Sequence, residues 1–248
     1  MPMLDSTLPL TPPSLALKAS QAQRPRAHAQ GLPVFFVVGT MAVSLLATGI
    51  CAWLRLGPTS ALVFTPMLAL ALLIHGLWTQ NLLLKRLLVF GMVLGVGELV
   101  SDYFCVAINQ TLVYPADEPF LWVSPAYMPV AWMVLMVQLG TLADVLMRRF
   151  RHRFLVTVLM AVLGGIHIPI FETLANYAGG WSYHNTPLIL DTTPTYIVLA
   201  EAMLSAVLPW MVSRVKTAQR WWQPLFLGWV QAAWVLASVV LAFWLVGR

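Results

Sequence analysis

The sequence predicts an all-α integral membrane protein with seven transmembrane helices. Its 248 residues are 60% hydrophobic and only 9% charged, whereas a soluble domain carries roughly 25% charged residues. The apolar residues also fall into successive runs of about 20, the length that crosses roughly 30 Å of hydrocarbon as a helix. These observations exclude a soluble globular domain.

The apolar runs define the predicted spans and the domain organisation. Only short breaks separate them, so we expect one seven-helix membrane domain over residues 32–248. Residues 1–31 are rich in Pro, Ser, Gln and Ala and lack an apolar run, which predicts a disordered cytoplasmic tail. The predicted spans are 33–54, 60–79, 87–108, 124–146, 154–176, 194–213 and 224–246.

The positions of Lys and Arg predict the orientation, because short cytoplasmic loops are enriched in these residues. Here they cluster in the tail and in the second, fourth and sixth loops, which all lie on one side of a seven-span chain. We therefore expect a cytoplasmic amino terminus and an outside carboxyl terminus, in the cell membrane or the inner membrane of a bacterium. The cations serve as orientation signals, and nucleic acid is not an expected partner.

The chain also contains a short internal similarity. Each half runs from an acid, through a polar residue four positions later and an aromatic outer loop, to the motif Pro-x-Tyr-x-x-x-Ala. The first half begins at Glu98 and its motif at Pro125, and the second begins at Glu172 and its motif at Pro194. Both helix pairs enter from the cytoplasm, so this pattern predicts a parallel repeat of helices 3–4 and 5–6.

Acidic side chains at membrane depth single out a candidate site. A charge at the bilayer centre costs about 2.5–3.5 kcal/mol on insertion scales, so each one needs a partner or a function. The helical rise places these acids in the outer half of the membrane. The predicted catalytic residues are Glu98, Asp102, Glu201 and Glu172, and the predicted substrate-binding residues are Tyr127, Trp132, His167, Asn176, Trp181, Tyr183 and Tyr196. The purely structural alternative is that the acids only join helices through hydrogen bonds.

Buried acids of this kind suit proton-transfer chemistry. A carboxylic acid shielded from water stays protonated and acts as a general acid, while a better solvated carboxylate acts as the base. The expected reaction is protonation of a carbon–carbon double bond in a lipophilic substrate, with aromatic faces stabilising the carbocation. Capture by water gives hydration, and capture by an internal alkene gives cyclisation. No cofactor or metal is expected, and the expected partners are a lipophilic small molecule and membrane lipids.

The order of these motifs resembles the membrane carotenoid hydratase family. The resemblance covers about residues 95–205 and is carried by Trp132 in Pro-x-x-Trp and by Trp181 and Tyr183 in Gly-Gly-Trp-x-Tyr. Members of that family add water to the terminal double bond of acyclic carotenoid ends without a cofactor. The resemblance therefore implies a hydratase of carotenoid biosynthesis acting on a polyisoprenoid.

This sequence departs from that family at Asp102 and Glu201, and it has Pro194-Thr-Tyr in place of a Gly-Pro-rich segment. A membrane terpene cyclase, which also uses intramembrane acids, fits the same residues. Two other classes stay open. A small proton-coupled carrier would use the same acids to relay protons, and a seven-helix receptor is the third reading, although no lysine in span seven would hold retinal.

Overall fold

Residues 33–248, which the computed structural model describes, form seven α-helices that correspond one to one with the predicted spans. The predicted tail over residues 1–31 lies outside the described residues. A π-helical turn at Ser60–Phe64 precedes the second helix, and another at Phe104–Ile108 extends the third. The helices are α1 (Val34–Leu54), α2 (Thr65–Trp78), α3 (Leu82–Tyr103), α4 (Met128–Arg149), α5 (Arg153–Ala178), α6 (Thr195–Thr217) and α7 (Trp222–Val246).

Six of these helices are long and apolar enough to cross a membrane, with α2 taken together with its π-helical turn as Ala61–Trp78. This makes the chain a multi-pass membrane fold. Large apolar side chains such as Phe35, Trp53 and Phe154 are almost fully exposed on their outer faces. A contiguous exposed apolar surface of this kind is unfavourable in water and favourable against lipid. The helices therefore carry their apolar residues on both sides, toward the core and toward the bilayer.

The remaining helix, α3, differs because it carries Lys85, Arg86, Glu98 and Asp102. Its 22 residues are still long enough to cross the hydrocarbon, at a rise of about 1.5 Å per residue. Most of them are buried, and α3 packs along both α4 and α7. Charged groups in a membrane protein are tolerated where they face the bundle interior, so the most polar helix is also an enclosed one.

Two close helix crossings hold the central helices together. A Cβ added at Gly95 of α3 would lie 2.3 Å from the Pro129 carbonyl oxygen of α4. A Cβ added at Gly164 of α5 would lie 2.8 Å from the Glu201 carbonyl oxygen of α6. Glycine permits such an approach because it has no side chain, and small residues are the usual contact points of membrane helices. The pairs α3–α4 and α5–α6 therefore pack backbone to backbone.

The end of the bundle at the start of α3 is fixed by a helix cap and by ion pairs. The Asn81 side chain accepts a hydrogen bond from the Leu84 amide at 2.9 Å, so α3 begins five residues before the predicted position 87. Asp144 on α4 is almost fully buried, and its carboxylate pairs with Lys216 Nζ at 2.7 Å and Arg148 Nε at 3.2 Å. A buried carboxylate with cationic partners links α4 to α6 at this end.

The opposite end carries three short antiparallel strand pairs that the sequence did not predict. Strands of two residues leave no alternating pattern to detect. One pair joins the loop after α3 to the loop after α5, and each of the other two forms a hairpin just before α4 or α6. The pairs are β1 (Leu112–Val113) with β4 (Ser182–Tyr183), β2 (Phe120–Leu121) with β3 (Ser124–Pro125), and β5 (Leu188–Ile189) with β6 (Thr193–Pro194). We call residues 109–127 and 179–194 the two lid loops.

Candidate functional site

A cavity of about 220 Å³ lies between the helices beneath the lid loops. All the predicted catalytic acids line it, together with most of the predicted substrate-binding residues. The structure therefore brings together side chains that are up to about a hundred positions apart in the sequence. The predicted residues in the cavity wall are Glu98, Asp102, Glu172, Glu201, Tyr127, Trp132, His167, Trp181 and Tyr183.

Two predicted site residues lie outside the cavity wall. The Asn176 side chain donates a hydrogen bond to the Trp181 carbonyl oxygen at 3.4 Å and so supports the turn after α5. The Tyr196 hydroxyl lies in the core, hydrogen-bonded to the Thr111 hydroxyl at 2.6 Å and donating to Cys105 Sγ at 3.6 Å. These contacts position the lid loops and the start of α6, and they leave neither side chain facing the cavity.

Glu98 and Asp102 form the acid pair of the cavity. They are four residues apart on α3, which places both carboxyls on one helix face, and each side chain is about 5% exposed or less. The Glu98 carboxyl faces the Asp102 carboxyl and the Trp132 indole. Its Oε2 atom has no hydrogen-bond partner among the described residues. Glu98 is therefore buried, adjacent to a second acid, and incompletely bonded.

Asp102 is held from the first lid loop. The Tyr114 hydroxyl donates a hydrogen bond to Asp102 Oδ2 at 2.8 Å, and the Ser124 side chain lies beside the same carboxyl. Burial, and then the neighbouring Asp102 carboxylate, raises the pKa of the Tyr114 phenol well above its ordinary value. The phenol consequently keeps its proton and remains a donor to Asp102.

Glu172 is held in a similar way from the second lid loop. The Trp181 indole nitrogen donates a hydrogen bond to Glu172 Oε2, and the Tyr183 side chain lies beside the same carboxyl. Tyr183 is also part of β4, where it pairs with Leu112 of the first lid loop. The Tyr114 and Trp181 rings meet edge to face with centroids 6.3 Å apart. The two loops thus close over the cavity by strand pairing and by aromatic contact.

Glu201 and His167 are less completely bonded. Glu201 on α6 is 6% exposed, and its Oε2 atom has no hydrogen-bond partner among the described residues. The His167 ring packs at a tilt against that of Phe171, with ring centroids 4.6 Å apart, and its Nδ1 atom is also without a partner in residues 33–248. Buried polar atoms are nearly always hydrogen-bonded in folded proteins, so these atoms are candidates for contact with a bound molecule or water.

The predicted site did not include α1 or the lower part of α4, which also line the cavity. Ser44 and Thr48 of α1 line the cavity, and so does Gln138 of α4. The Gln138 amide donates long hydrogen bonds to the hydroxyls of Thr40 at 3.3 Å and Ser44 at 3.4 Å. A polar amide within an apolar span indicates an interior position, but it is a weaker indicator than an acid because it carries no charge.

The described residues contain no group of three or more His, Cys, Asp or Glu side chains placed to hold a metal ion. What the cavity does offer is a set of carboxyls at two levels. Asp102 and Glu172 are hydrogen-bonded to lid side chains, whereas Glu98 and Glu201 each keep one oxygen without a partner in the part of the chain that the structure describes. Such an arrangement is able to donate and accept protons within an apolar enclosure.

Tyr114→Phe is expected to lower the stability of the protein by removing the donor to Asp102. Loss of a hydrogen bond to a charged acceptor typically costs about 1.5–3 kcal/mol. Thermal unfolding in detergent should therefore shift to a lower temperature, whereas Tyr177→Phe, a change at an exposed tyrosine, should leave it unchanged. The effect should shrink when Asp102→Leu is already present. A Tyr114→Phe effect of equal size in both backgrounds would show that the Asp102 contact does not stabilise the fold.

Comparison with curated proteins and with solved structures finds no match for this chain. One family model does match, over residues 99–246, and its description is a domain of unknown function, DUF6989. The matched region begins between Glu98 and Asp102 on α3 and runs to the end of α7. It contains both lid loops and most of the cavity wall. Because the match covers more than half of the sequence, the chain belongs to the DUF6989 family, a domain of unknown function.

Proposed function

We propose that this protein is an integral membrane enzyme that protonates a carbon–carbon double bond of a polyisoprenoid or similar lipophilic substrate. Hydration or cyclisation of the resulting carbocation completes the reaction. The observation that carries the proposal is that two buried carboxyls, Glu98 and Glu201, line the cavity and that each has one oxygen without a hydrogen-bond partner among the described residues. Acids that served only to join helices would be expected to satisfy both oxygens.

The contacts of the acid pair suggest a division of roles. Asp102 accepts a hydrogen bond from Tyr114 and adjoins Ser124, contacts that stabilise a carboxylate. Glu98 has the Trp132 indole and the Asp102 carboxyl beside it. Two adjacent carboxyls share one proton more readily than they carry two negative charges. Glu98 is therefore the proposed proton donor, and Glu201 across the cavity is the proposed base.

The walls of the cavity support a carbocation intermediate. The rings of Trp132 and Trp181 line it together with those of Tyr127 and Tyr183, and aromatic faces attract cations by roughly 0.5–2 kcal/mol each. Its volume of about 220 Å³ is below the roughly 300–1,000 Å³ of typical small-molecule pockets. The cavity therefore suits one end of a long isoprenoid chain, with the rest of the molecule lying in the lipid.

We further propose that all seven helices cross the cell membrane, with the amino terminus in the cytoplasm and the carboxyl terminus outside. Basic residues support this orientation because they collect at one end of the bundle, at the start of α3 and in the last turns of α4 and α6. The lid loops at the other end carry acidic side chains, among them Asp117 and Asp191. Cytoplasmic loops are the ones enriched in Lys and Arg, so the lid loops face outward.

The strand pairing supports the proposed parallel repeat of α3–α4 and α5–α6. Strands β1 and β4 occupy the same position, one after α3 and the other after α5, and they pair antiparallel with Leu112 opposite Tyr183 and Val113 opposite Ser182. Two equivalent strands paired in this register are related by a local two-fold axis. In each half a hairpin then follows and ends at the proline of the Pro-x-Tyr motif, just before the next helix.

The register of this repeat differs from the one read in the sequence. Aligning the paired strands matches Asp102 with Glu172, rather than Glu98 with Glu172. The structural match is supported by the lid, because Asp102 is bonded to Tyr114 of one loop and Glu172 to Trp181 of the other. In this register Glu98 has no acidic counterpart in the second half of the repeat. The unmatched Glu98 is consistent with a dedicated role as donor.

A proton-coupled carrier is the second candidate, because parallel repeats also occur in transporters. A carrier needs a route from the cavity to the basic end of the bundle. Of the titratable groups there, Asp144 is paired with Lys216. His75 is stacked on Phe36 with ring centroids 4.0 Å apart, and its Nε2 atom has no hydrogen-bond partner among the described residues. The polar groups at the cavity floor are the neutral side chains of Gln138 and Ser44. These features favour the enzyme.

The proposed reaction is tested by lipid analysis. Liposomes containing the purified protein are incubated with an acyclic carotenoid or with geranylgeraniol in D₂O, and the lipids are analysed by mass spectrometry. A product heavier by one water supports hydration, and an isomer supports cyclisation, each with one deuterium bound to carbon from the protonation step. Substrates recovered unchanged, or a product without carbon-bound deuterium, would contradict the proposal.

A further inference from the structure

The first lid loop contains a further buried carboxyl, that of Glu118, which is not part of the cavity wall. The Glu118 side chain is 6% exposed, and neither of its oxygens has a hydrogen-bond partner among the described residues. Its neighbour Asp117 is exposed. A buried carboxyl without hydrogen bonds costs free energy, and the loop could have turned Glu118 outward as it does Asp117. We therefore expect the inward position of Glu118 to serve a function that offsets this cost.

Tyr127 connects Glu118 to the cavity. The Tyr127 hydroxyl lies beside the Glu118 carboxyl, and it too is buried without a hydrogen bond in place. The same tyrosine is part of the cavity wall. On the cavity side the charge of Asp102 acts on the Tyr127 hydroxyl, and Asp102 adjoins Ser124 of the same loop. One side chain thus contacts both the loop carboxyl and the cavity that holds the acids.

The titration of Glu118 fits a group that exchanges protons. Burial raises the pKa of the Glu118 carboxyl, and the charge of Asp117 raises it further, while the adjacent Tyr127 hydroxyl lowers it. A carboxyl with a raised pKa is closer to equal populations of its two forms near neutral pH than an exposed one. It is therefore able to take a proton from water and to pass it on.

We propose that Glu118 and Tyr127 form a proton relay between the aqueous phase on the lid side and the acid pair Glu98–Asp102. Water protonates the Glu118 carboxylate, and the Glu118 O–H then gives its proton to the Tyr127 oxygen. The Tyr127 O–H proton leaves at the same time through one cavity water to Asp102. Tyr127 and Glu118 end in their starting forms, and one proton has entered. The reverse sequence returns a proton from Asp102 to the aqueous phase.

The purpose of the relay rests on the proposed function, since an acid that protonates an alkene must regain its proton before the next turnover. Neither hydration nor cyclisation consumes protons overall, so the relay exchanges protons without a net supply. It explains why the lid loop buries a carboxyl directly above the catalytic acids. It also explains why Tyr127 differs from its counterpart Tyr196, whose hydroxyl is bonded within the core.

The relay is tested without substrate by infrared spectroscopy of the full chain in lipid nanodiscs. On transfer to D₂O the carbonyl band of the protonated cavity acid shifts, and the band is assigned by its loss in Glu98→Gln. Exchange in Glu118→Gln and in Tyr127→Phe should be slower than in the wild type by at least about tenfold. The matched control Asp191→Asn makes an acid-to-amide change at an exposed position of the second lid loop and should exchange at the wild-type rate.

Wild-type exchange in both Glu118→Gln and Tyr127→Phe would overturn the relay. This outcome is separate from failure of the proposed function, because exchange is measured without turnover. Slow exchange in both variants with no lipid product from the wild type would retain the relay and reject alkene protonation. Product formation by the wild type together with unchanged exchange in the variants would reject the relay alone.

Discussion

Glu98→Gln is expected to abolish conversion of the lipophilic substrate while leaving the protein folded. The amide has the shape of the carboxyl but cannot donate its proton to an alkene, and loss of a general acid typically costs about 10²–10⁴-fold in rate. The fold should survive because one Glu98 oxygen has no hydrogen-bond partner to lose among the described residues. Deuterium incorporation into product carbon, measured per mole of monodisperse protein, gives the rate.

Asp191→Asn is the matched control for this loss. It makes the same acid-to-amide change at an exposed lid position with φ of 59°, a conformation that asparagine tolerates well. It should keep wild-type turnover and unfolding temperature. Glu201→Gln should behave like Glu98→Gln, because it removes the proposed base. Wild-type turnover in both glutamate variants would eliminate acid–base catalysis by these residues.

The acids of the site could be predicted from the sequence because charge is expensive in a membrane. Counting the helical rise places Glu98, Trp132, His167 and Glu201 in one layer of the outer half of the membrane, with Asp102 and Glu172 above them. The structure agrees with that order, since Asp102 and Glu172 are the two acids that reach the lid side chains. Hydropathy and helical geometry are local properties, and they sufficed for the helices and for the depth of the acids.

The lid could not be predicted in the same way. Its closure depends on β1 pairing with β4, two strands of two residues each that are separated by about seventy positions. Neither strand is long enough to show a pattern, and nothing in either loop alone indicates its partner. Tyr127, Trp181 and Tyr183, which the sequence singled out, line the cavity, and so does Tyr114, which it did not. The hydrogen bonds that hold Asp102 and Glu172 are visible only in three dimensions.

Tyr196 shows a second reason why a site residue predicted from the sequence lies outside the cavity wall. It occupies the same motif position as Tyr127, and the repeat predicted the same role for both. Tyr196 instead packs edge to face against Phe243 of α7, with ring centroids 5.3 Å apart. Helix α7 packs on α3 and α6. The shared motif therefore predicted equivalent positions at the starts of α4 and α6, while contact with α7 gave Tyr196 different surroundings.

Gly95→Ala is expected to cause a large loss of stability through a single added methyl group. The new Cβ would lie 2.3 Å from the Pro129 carbonyl oxygen and 2.8 Å from its Cα, and both atoms belong to the α4 backbone. A backbone cannot rotate away as a side chain can, so α3 and α4 must separate. Overpacking typically costs about 1–3 kcal/mol, and we expect the upper end or beyond. The effect is measured by thermal unfolding in detergent, which is monitored as the loss of the monodisperse size-exclusion peak after heating.

Gly39→Ala on α1 is the matched control, because a Cβ there meets nothing within 4 Å. Alanine is the better helix former by about 1 kcal/mol in an exposed helix, so this variant should unfold at or above the wild-type temperature. Gly95 also lies one turn before Glu98, and separating α3 from α4 would draw Glu98 away from Trp132. Gly95→Ala protein that remains folded should therefore lose turnover as well. Equal unfolding temperatures for the two alanine variants would contradict the close α3–α4 crossing on which this site is built.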